Sequence, residues 1–146
     1  MNKKTLKLEF YFDAAHHMCG LEKEARLLYS HTWKVLVVFE TSKRLNEYKV
    51  IVNTLELKNR IEPIIGKLNH SIILWNKDPL AKDILVLAKK YNVENSITII
   101  PFNPTIEGCV EYIFNEINKK IKLKEIKLKK VEVILPCEKE SSEFIN

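Results

Sequence analysis

Glycine is scarce in this chain, with three in 146 residues. Neither a GxGxxG fingerprint nor a Walker pattern occurs, which excludes the glycine-rich loops that cradle phosphates. Cysteine is equally sparse. Cys19, Cys109 and Cys137 form an odd set without a CxxC pair, against a disulfide framework or a structural zinc site of the cysteine type. No apolar run is long enough to span a bilayer. The opening MNKKTLKLEF alternates charge with apolar residues where a signal peptide would carry an apolar core, so a cytoplasmic protein with no membrane partner is expected. Aromatic residues are missing from the lysine-rich stretch KKIKLKEIKLKK at 119–130. Single-strand binding needs such rings for stacking, so this stretch reads as a helix end and a strand with one solvated face, and nucleic acid is disfavoured as a partner.

What is present suits one globular domain over residues 1–146. Hydrophobic residues make up 46% and charged residues 29%, a composition able to bury a core. The net charge of +5 favours anionic partners such as phosphorylated metabolites.

Periodicity then orders the chain. From Leu6 to Ala15, Leu6, Leu8, Phe10, Phe12 and Ala14 share one face and Lys7, Glu9, Tyr11 and Asp13 the other, as in a half-buried strand. After a loop over Met18–Ser30, a second strand is expected near Thr32–Thr41, with Trp33, Val35, Val37 and Phe39 on one side. A polar turn at Ser42–Glu47 and a return strand at Tyr48–Val52 would complete a hairpin. Leu57, Ile61, Ile64 or Ile65, and Leu68 carry helical spacing, interrupted by Pro63, which should kink the helix or reset its start. A short helix at Asp83–Tyr91 and a strand at Ser96–Ile100 follow. Asn103-Pro104-Thr105 marks a helix start, after which Ile106, Val110, Ile113, Ile117 and Ile121 stripe one face. A last strand near Ile126–Leu135 ends at Pro136. The order implies an α+β fold, with helices on one face of an antiparallel sheet.

Five motifs along this frame resemble those of the 6-pyruvoyl/6-carboxy-tetrahydropterin synthase family. Phe12-Asp13-Ala14-Ala15-His16 is similar to F-x-A-A-H, and His31-Thr32-Trp33 stands where the family writes H-G-H. Ile51–Lys58 resembles the entry to the first helix, Leu68-Asn69-His70 is similar to Leu-Asp-His, and Asn103-Pro104-Thr105-Ile106-Glu107 matches N-P-T-x-E. The resemblance implies the tunnelling fold (T-fold), in which two main helices pack on an antiparallel sheet and subunit sheets join into an oligomeric barrel, here a trimer or hexamer. It also implies active sites at subunit interfaces, where zinc, a cysteine and an Asp-His pair eliminate triphosphate from dihydroneopterin triphosphate.

Much of that equipment is replaced. His16 and His31 stand at two of the three implied zinc positions, but the third is Trp33, whose indole cannot ligate a metal. The pair is either a surviving metal site or two histidines hydrogen-bonded in a pocket plugged by Trp33. Zinc is expected to be held weakly or not at all, with Cys19, on a loop three residues past His16, as a substitute ligand; His17 should face away from His16. Leu27 occupies the implied cysteine position, and Glu24 is the nearest acid but out of register. Asn69 replaces the aspartate, leaving His70 as the catalytic candidate able to titrate near neutrality. Thr105 and Glu107 remain as the substrate-binding pair, since a carboxylate can take both N–H donors of a 2-amino-4-oxo ring. Glu107 is equally explained as favourable charge in a helix's first turn. Leu135 stands where a second ring-binding glutamate is implied, and Glu138 could replace it only if Pro136 introduces a bulge.

Three functions follow: a pterin lyase with a rearranged metal site; an interface pocket for a pterin- or guanine-like, phosphorylated heterocycle with altered or lost chemistry; or a catalytically silent partner subunit. The replaced residues favour the last two.

Overall fold

A computed structural model describes residues 2–21 and 28–146. The alternating segment forms strand β1 (Lys4–His16), and β2 (Tyr29–Thr41) pairs with it antiparallel along its whole length, from Lys4 opposite Thr41 to His16 opposite Tyr29. Even-numbered residues of β1 and odd-numbered residues of β2 therefore share a face. Leu8, Phe10, Phe12, Trp33, Val35, Val37 and Phe39 on that face are each at most 5% exposed.

Helix α1 (Thr54–Gly66) is capped by Asn53, whose side chain accepts from the Glu56 N–H, and it runs through Pro63 without a reset start. Strand β3 (Ser71–Trp75), helix α2 (Pro79–Lys90) and strand β4 (Ile97–Ile100) follow, then α3 (Ile106–Lys120), β5 (Lys127–Leu135) and β6 (Glu140–Ile145). Leu57, Ile61, Ile64 and Ile65 of α1 and Ile106, Val110, Ile113 and Ile117 of α3 join the inner face of the sheet in one core. Each fully buried side chain of this size contributes about 1.5–3 kcal/mol. Leu74, Ala81 and Ala88 are buried outside that core, where α2 meets β3 and β4.

The α+β class expected from the sequence is the one that forms, with two corrections. The sheet order is β4-β3-β1-β2-β5-β6, and β3 joins β1, and β4 joins β3, in parallel, so the sheet is mixed. The expected return strand at Tyr48–Val52 does not form. A strand has two edges, and β2 gives one to β1 and the other to β5, leaving none for a hairpin. Residues 42–53 instead turn over the surface, Tyr48 and Val50 exposed and Ile51 and Val52 resting on the core. Among the described residues no helix is long and apolar enough to cross a membrane.

Candidate functional site

The β1–β2 register carries chemistry at one end. His16 lies opposite Tyr29, Ala14 opposite His31 and Phe12 opposite Trp33, so both histidines and the tryptophan point inward beyond the apolar part of the face. His16 is 2% exposed and His31 5%. The His16 Nδ1–H donates to the Pro104 carbonyl at 2.7 Å, which leaves Nε2 as a bare lone pair. Among the described residues that buried Nε2 has no hydrogen-bond partner, and neither has Nε2 of His31. The rings meet edge to face, 5.1 Å between centroids. Burial, above all, lowers the His16 pKa from its ordinary 6.5; the Pro104 carbonyl and Glu138 oppose this, and His31 and His17 reinforce it.

Trp33 seals the third position. It is fully buried, its Nε1–H donates to the Ala14 carbonyl at 3.1 Å, and it stacks on Phe12 while meeting the His16 ring edge to face, 4.9 Å between centroids. A three-histidine zinc centre does not fit these residues. The donor atoms that do converge belong to His31, Cys137 and Glu138, all within 4.8 Å of one another. The Cys137 Sγ is 2.9 Å from Nδ1 of His31. Cys137 and Glu138 arrive on a single 3-10 turn, Pro136–Glu138, that closes β5, and Lys139 in the left-handed region (φ 54°) returns the chain into β6. Glu138 thus reaches the site through a turn after the strand and not through a bulge within it. Tyr29 borders the same group. Burial raises its pKa first, followed by the charges of Glu138, Glu140 and Cys137.

The start of α3 closes the site from the other side. Asn103 accepts from the Cys19 N–H at 3.0 Å and donates to the Cys19 carbonyl at 2.9 Å, tying the segment after β1 to the helix start. Thr105 is the N-cap, its hydroxyl oxygen accepting from the Gly108 N–H at 3.1 Å. A Cβ at Gly108 would stand 2.8 Å from the Asn103 carbonyl, so this close approach requires glycine. Glu107 lies exposed in the first turn, and among the described residues no hydrogen bond or ion pair engages it. Two residues on, burial and then the Glu107 charge push the Cys109 thiol up to about 12, which keeps it protonated.

The other expected residues lie elsewhere. His70 is exposed, in the left-handed region (φ 52°), where its N–H donates to the Asp13 carbonyl at 2.7 Å and leads the chain into β3. Asn69 spends its side-chain oxygen on the Asp13 N–H at 2.9 Å. His17 pairs through Nδ1 with Asp78, the cap of α2. Cys19 is held by its backbone and is not one of the converging donors. Leu135 is buried in the core. Leu27 and Glu24 fall outside the described residues. Sequence reasoning missed Cys137, because a cysteine without a CxxC neighbour was discounted. The available signal was its place beside Glu138, directly after a strand-ending proline.

The family model described as 6-pyruvoyl tetrahydropterin synthase matches residues 5–144. The 6-carboxy-5,6,7,8-tetrahydropterin synthase of Aquifex aeolicus is 28% identical over 108 residues, covering 71% of this chain and 65% of that protein, so the match spans less than two thirds of the relative's length. An uncharacterized protein of Wolinella succinogenes superimposes with a TM-score of 0.87 at 19% identity, over 100% of this chain and 99% of its own. The 6-pyruvoyl tetrahydropterin synthases of Caenorhabditis elegans (TM-score 0.67, 14% identity, 100% and 97% covered) and Plasmodium vivax (0.68, 16%, 100% of both) share the architecture. At these identities the structural likeness is one of fold, and the fold is the one the sequence motifs implied.

Proposed function

Because the chain belongs to the 6-pyruvoyl tetrahydropterin synthase family, we propose that it binds a flat pterin- or guanine-like ring at the start of α3, with the zinc-dependent lyase chemistry of the resemblance altered or lost. The observation that carries this reading is the exposed carboxylate of Glu107, unengaged among the described residues, on an otherwise fully built helix start. Thr105 caps the helix, and Asn103 and Gly108 fix its position. The unpaired N–H groups and positive dipole end of the helix favour Glu107 as an anion. An anionic carboxylate takes both donors of a guanidine-like ring edge. Leu135 supplies no second carboxylate, which weakens the grip, while the net charge of +5 favours a phosphorylated ligand. Trp33 in the third histidine's place argues against the three-histidine chemistry, and His70, exposed and apart from this group within one chain, would serve proton transfer only across a subunit interface.

The same proposal includes a homo-oligomer, a trimer or hexamer, that places the pocket at a subunit interface. The edge strands β4 and β6 each leave one side unpaired within the chain and expose Ile99 and Ile145. Uncovered edges of this kind invite pairing with further copies.

The test is calorimetric titration of the assembled protein, sized by light scattering, with neopterin and with guanine nucleotides. The parent should bind at least one of them, the phosphorylated form more tightly. Glu107→Gln should lose about tenfold or more, the order of 1.5–3 kcal/mol for a charged hydrogen bond. Equal binding by the variant would reduce Glu107 to a helix-start charge. Absence of binding to any of these ligands would favour the silent partner subunit.

A further inference from the structure

We infer that the end of the sheet opposite the histidines holds a site for a diphosphate-bearing anion, set between the turn after β2 and the connection from α3 to β5. It is separate from the proposed ring pocket. Strand β2 runs 13 residues from Tyr29, beside His16 and the start of α3, to Thr41 at this end. At about 3.4 Å per residue the two ends lie roughly 40 Å apart.

Three observations carry the inference. The first is shape. A cavity of about 210 Å³ lies among Lys3, Glu40, Thr41, Lys43, Lys124 and Lys127. A second, of about 150 Å³, adjoins it through Thr41, Lys43 and Glu125 and adds Arg44. The second observation is charge. Five cationic side chains line these cavities against two carboxylates, Glu40 and Glu125. Glu40 is already met by Lys3 at 3.3 Å and by Lys129 at 3.9 Å. Among the described residues, the side chains of Lys43, Arg44, Lys124 and Lys127 make no hydrogen bond or ion pair. A concave surface with an excess of one sign concentrates the field and the counter-ion. The third observation is how the cations are mounted. Thr41 is 7% exposed, and its hydroxyl oxygen accepts from the Lys43 N–H at 3.1 Å. Ile126, 5% exposed, anchors the connection between Lys124 and Lys127. The lysines thus project from segments already fixed by the fold.

The lining chooses the ligand. Among the described residues no aromatic side chain borders either cavity, so a flat ring finds nothing to stack on. Recognition falls to phosphate oxygens: each lysine offers a compact charge with three donors, and the Arg44 fork takes two oxygens at once. Cations spread over two adjoining cavities suit two linked phosphates better than one. Glu125, which lines both cavities, opposes the anion.

The test is calorimetric titration of the assembled protein with inorganic pyrophosphate, with inorganic phosphate and adenosine diphosphate as comparisons. The parent should bind pyrophosphate more tightly than phosphate, and adenosine diphosphate no more tightly than pyrophosphate. Raising the salt from about 0.1 M to about 1 M, which shortens the screening length from about 10 Å to about 3 Å, should weaken all three. Lys43→Ala and Lys124→Ala should each weaken pyrophosphate by about three- to fivefold, the scale of a solvent-exposed ion pair, and the double variant by about tenfold or more. Glu125→Gln should tighten it. Lys89→Ala combined with Lys90→Ala removes as much charge from the last turn of α2 and should change nothing. Lys43 and Lys124 are exposed, so unchanged thermal melts of the variants will show that the fold is kept. Failure of the parent to bind pyrophosphate, adenosine diphosphate binding about tenfold more tightly, unchanged affinity in the Lys43→Ala, Lys124→Ala double variant, or an equal loss in the α2 variant would each overturn the site. Ring binding is read separately, with neopterin, which carries no phosphate, and Glu107→Gln, so the failure of either proposal leaves the other legible.

Discussion

Two stretches of the same sheet face answer opposite demands. In the middle, Leu8 and Phe10 on β1 and Val35 and Val37 on β2 are apolar and lie in the common core. A few residues along, His16, His31 and Trp33 continue the same inward alternation with polar rings at 0–5% exposure. The middle is satisfied by packing alone. The histidine end is not, because two imidazole nitrogens lack partners among the described residues. Strand alternation thus delivers residues to a face without regard to what they need there, and a polar ring set inward by it must find its partners from other segments.

The largest effect should come from emptying either stretch. Phe10→Ala and Trp33→Ala should each destabilise by about 3–5 kcal/mol, measured by urea unfolding. Parity between them would show that Trp33 is packed as tightly as the apolar middle. A much smaller loss at Trp33 would mean that water already shares the histidine end, and the contrast with a dry plug would fail.

A smaller effect tests how the histidine end is held. Thr105 caps α3, whose start supplies the Pro104 carbonyl to His16. Thr105→Ala should cost about 1 kcal/mol in the same assay, with Thr105→Ser restoring most of it. A loss in Thr105→Ser as large as that in Thr105→Ala would show that the threonine methyl, not the cap, matters.

The subtlest signature is a slope with pH. In metal-free protein the His16 pKa is lowered, chiefly by burial, so the unfolded chain takes up its proton first as acid is added. Stability is then full above pH 6.5, the ordinary value, and falls as pH drops below it toward the lowered native value. The charged and titratable neighbours His31, Glu138 and His17 are unchanged in His16→Gln, so the difference between parent and variant isolates this ring. Unfolding curves on either side of pH 6.5 check it, and identical slopes would show that His16 charges freely where it lies.

Legibility in the sequence followed distance along the chain. The two long strands, the Asn103-Pro104-Thr105 start and the stripe from Ile106 to Ile117 were readable because each rests on neighbours within a few residues. The short strands β3 and β6 were not recognised, since SIILW and ESSEFI are too brief for their period to stand out. Asn69 stands where the resemblance implies an aspartate beside His70, but its amide lies against Asp13, 56 residues away in sequence. Cys137 and His31 are 106 residues apart, and nothing local links them.

By itself, then, the sequence determined which residues face inward on β1 and β2, where α3 begins, and that a third histidine is missing at position 33. Those features follow from local sterics and from the partition of side chains between water and core. Tertiary structure alone decided that β2 spends its second edge on β5 instead of a hairpin, and that the turn after β5 therefore sets a thiol and a carboxylate beside His31. Strand pairing is a competition among distant segments for a limited number of hydrogen-bonding edges, and no window of sequence contains all the competitors.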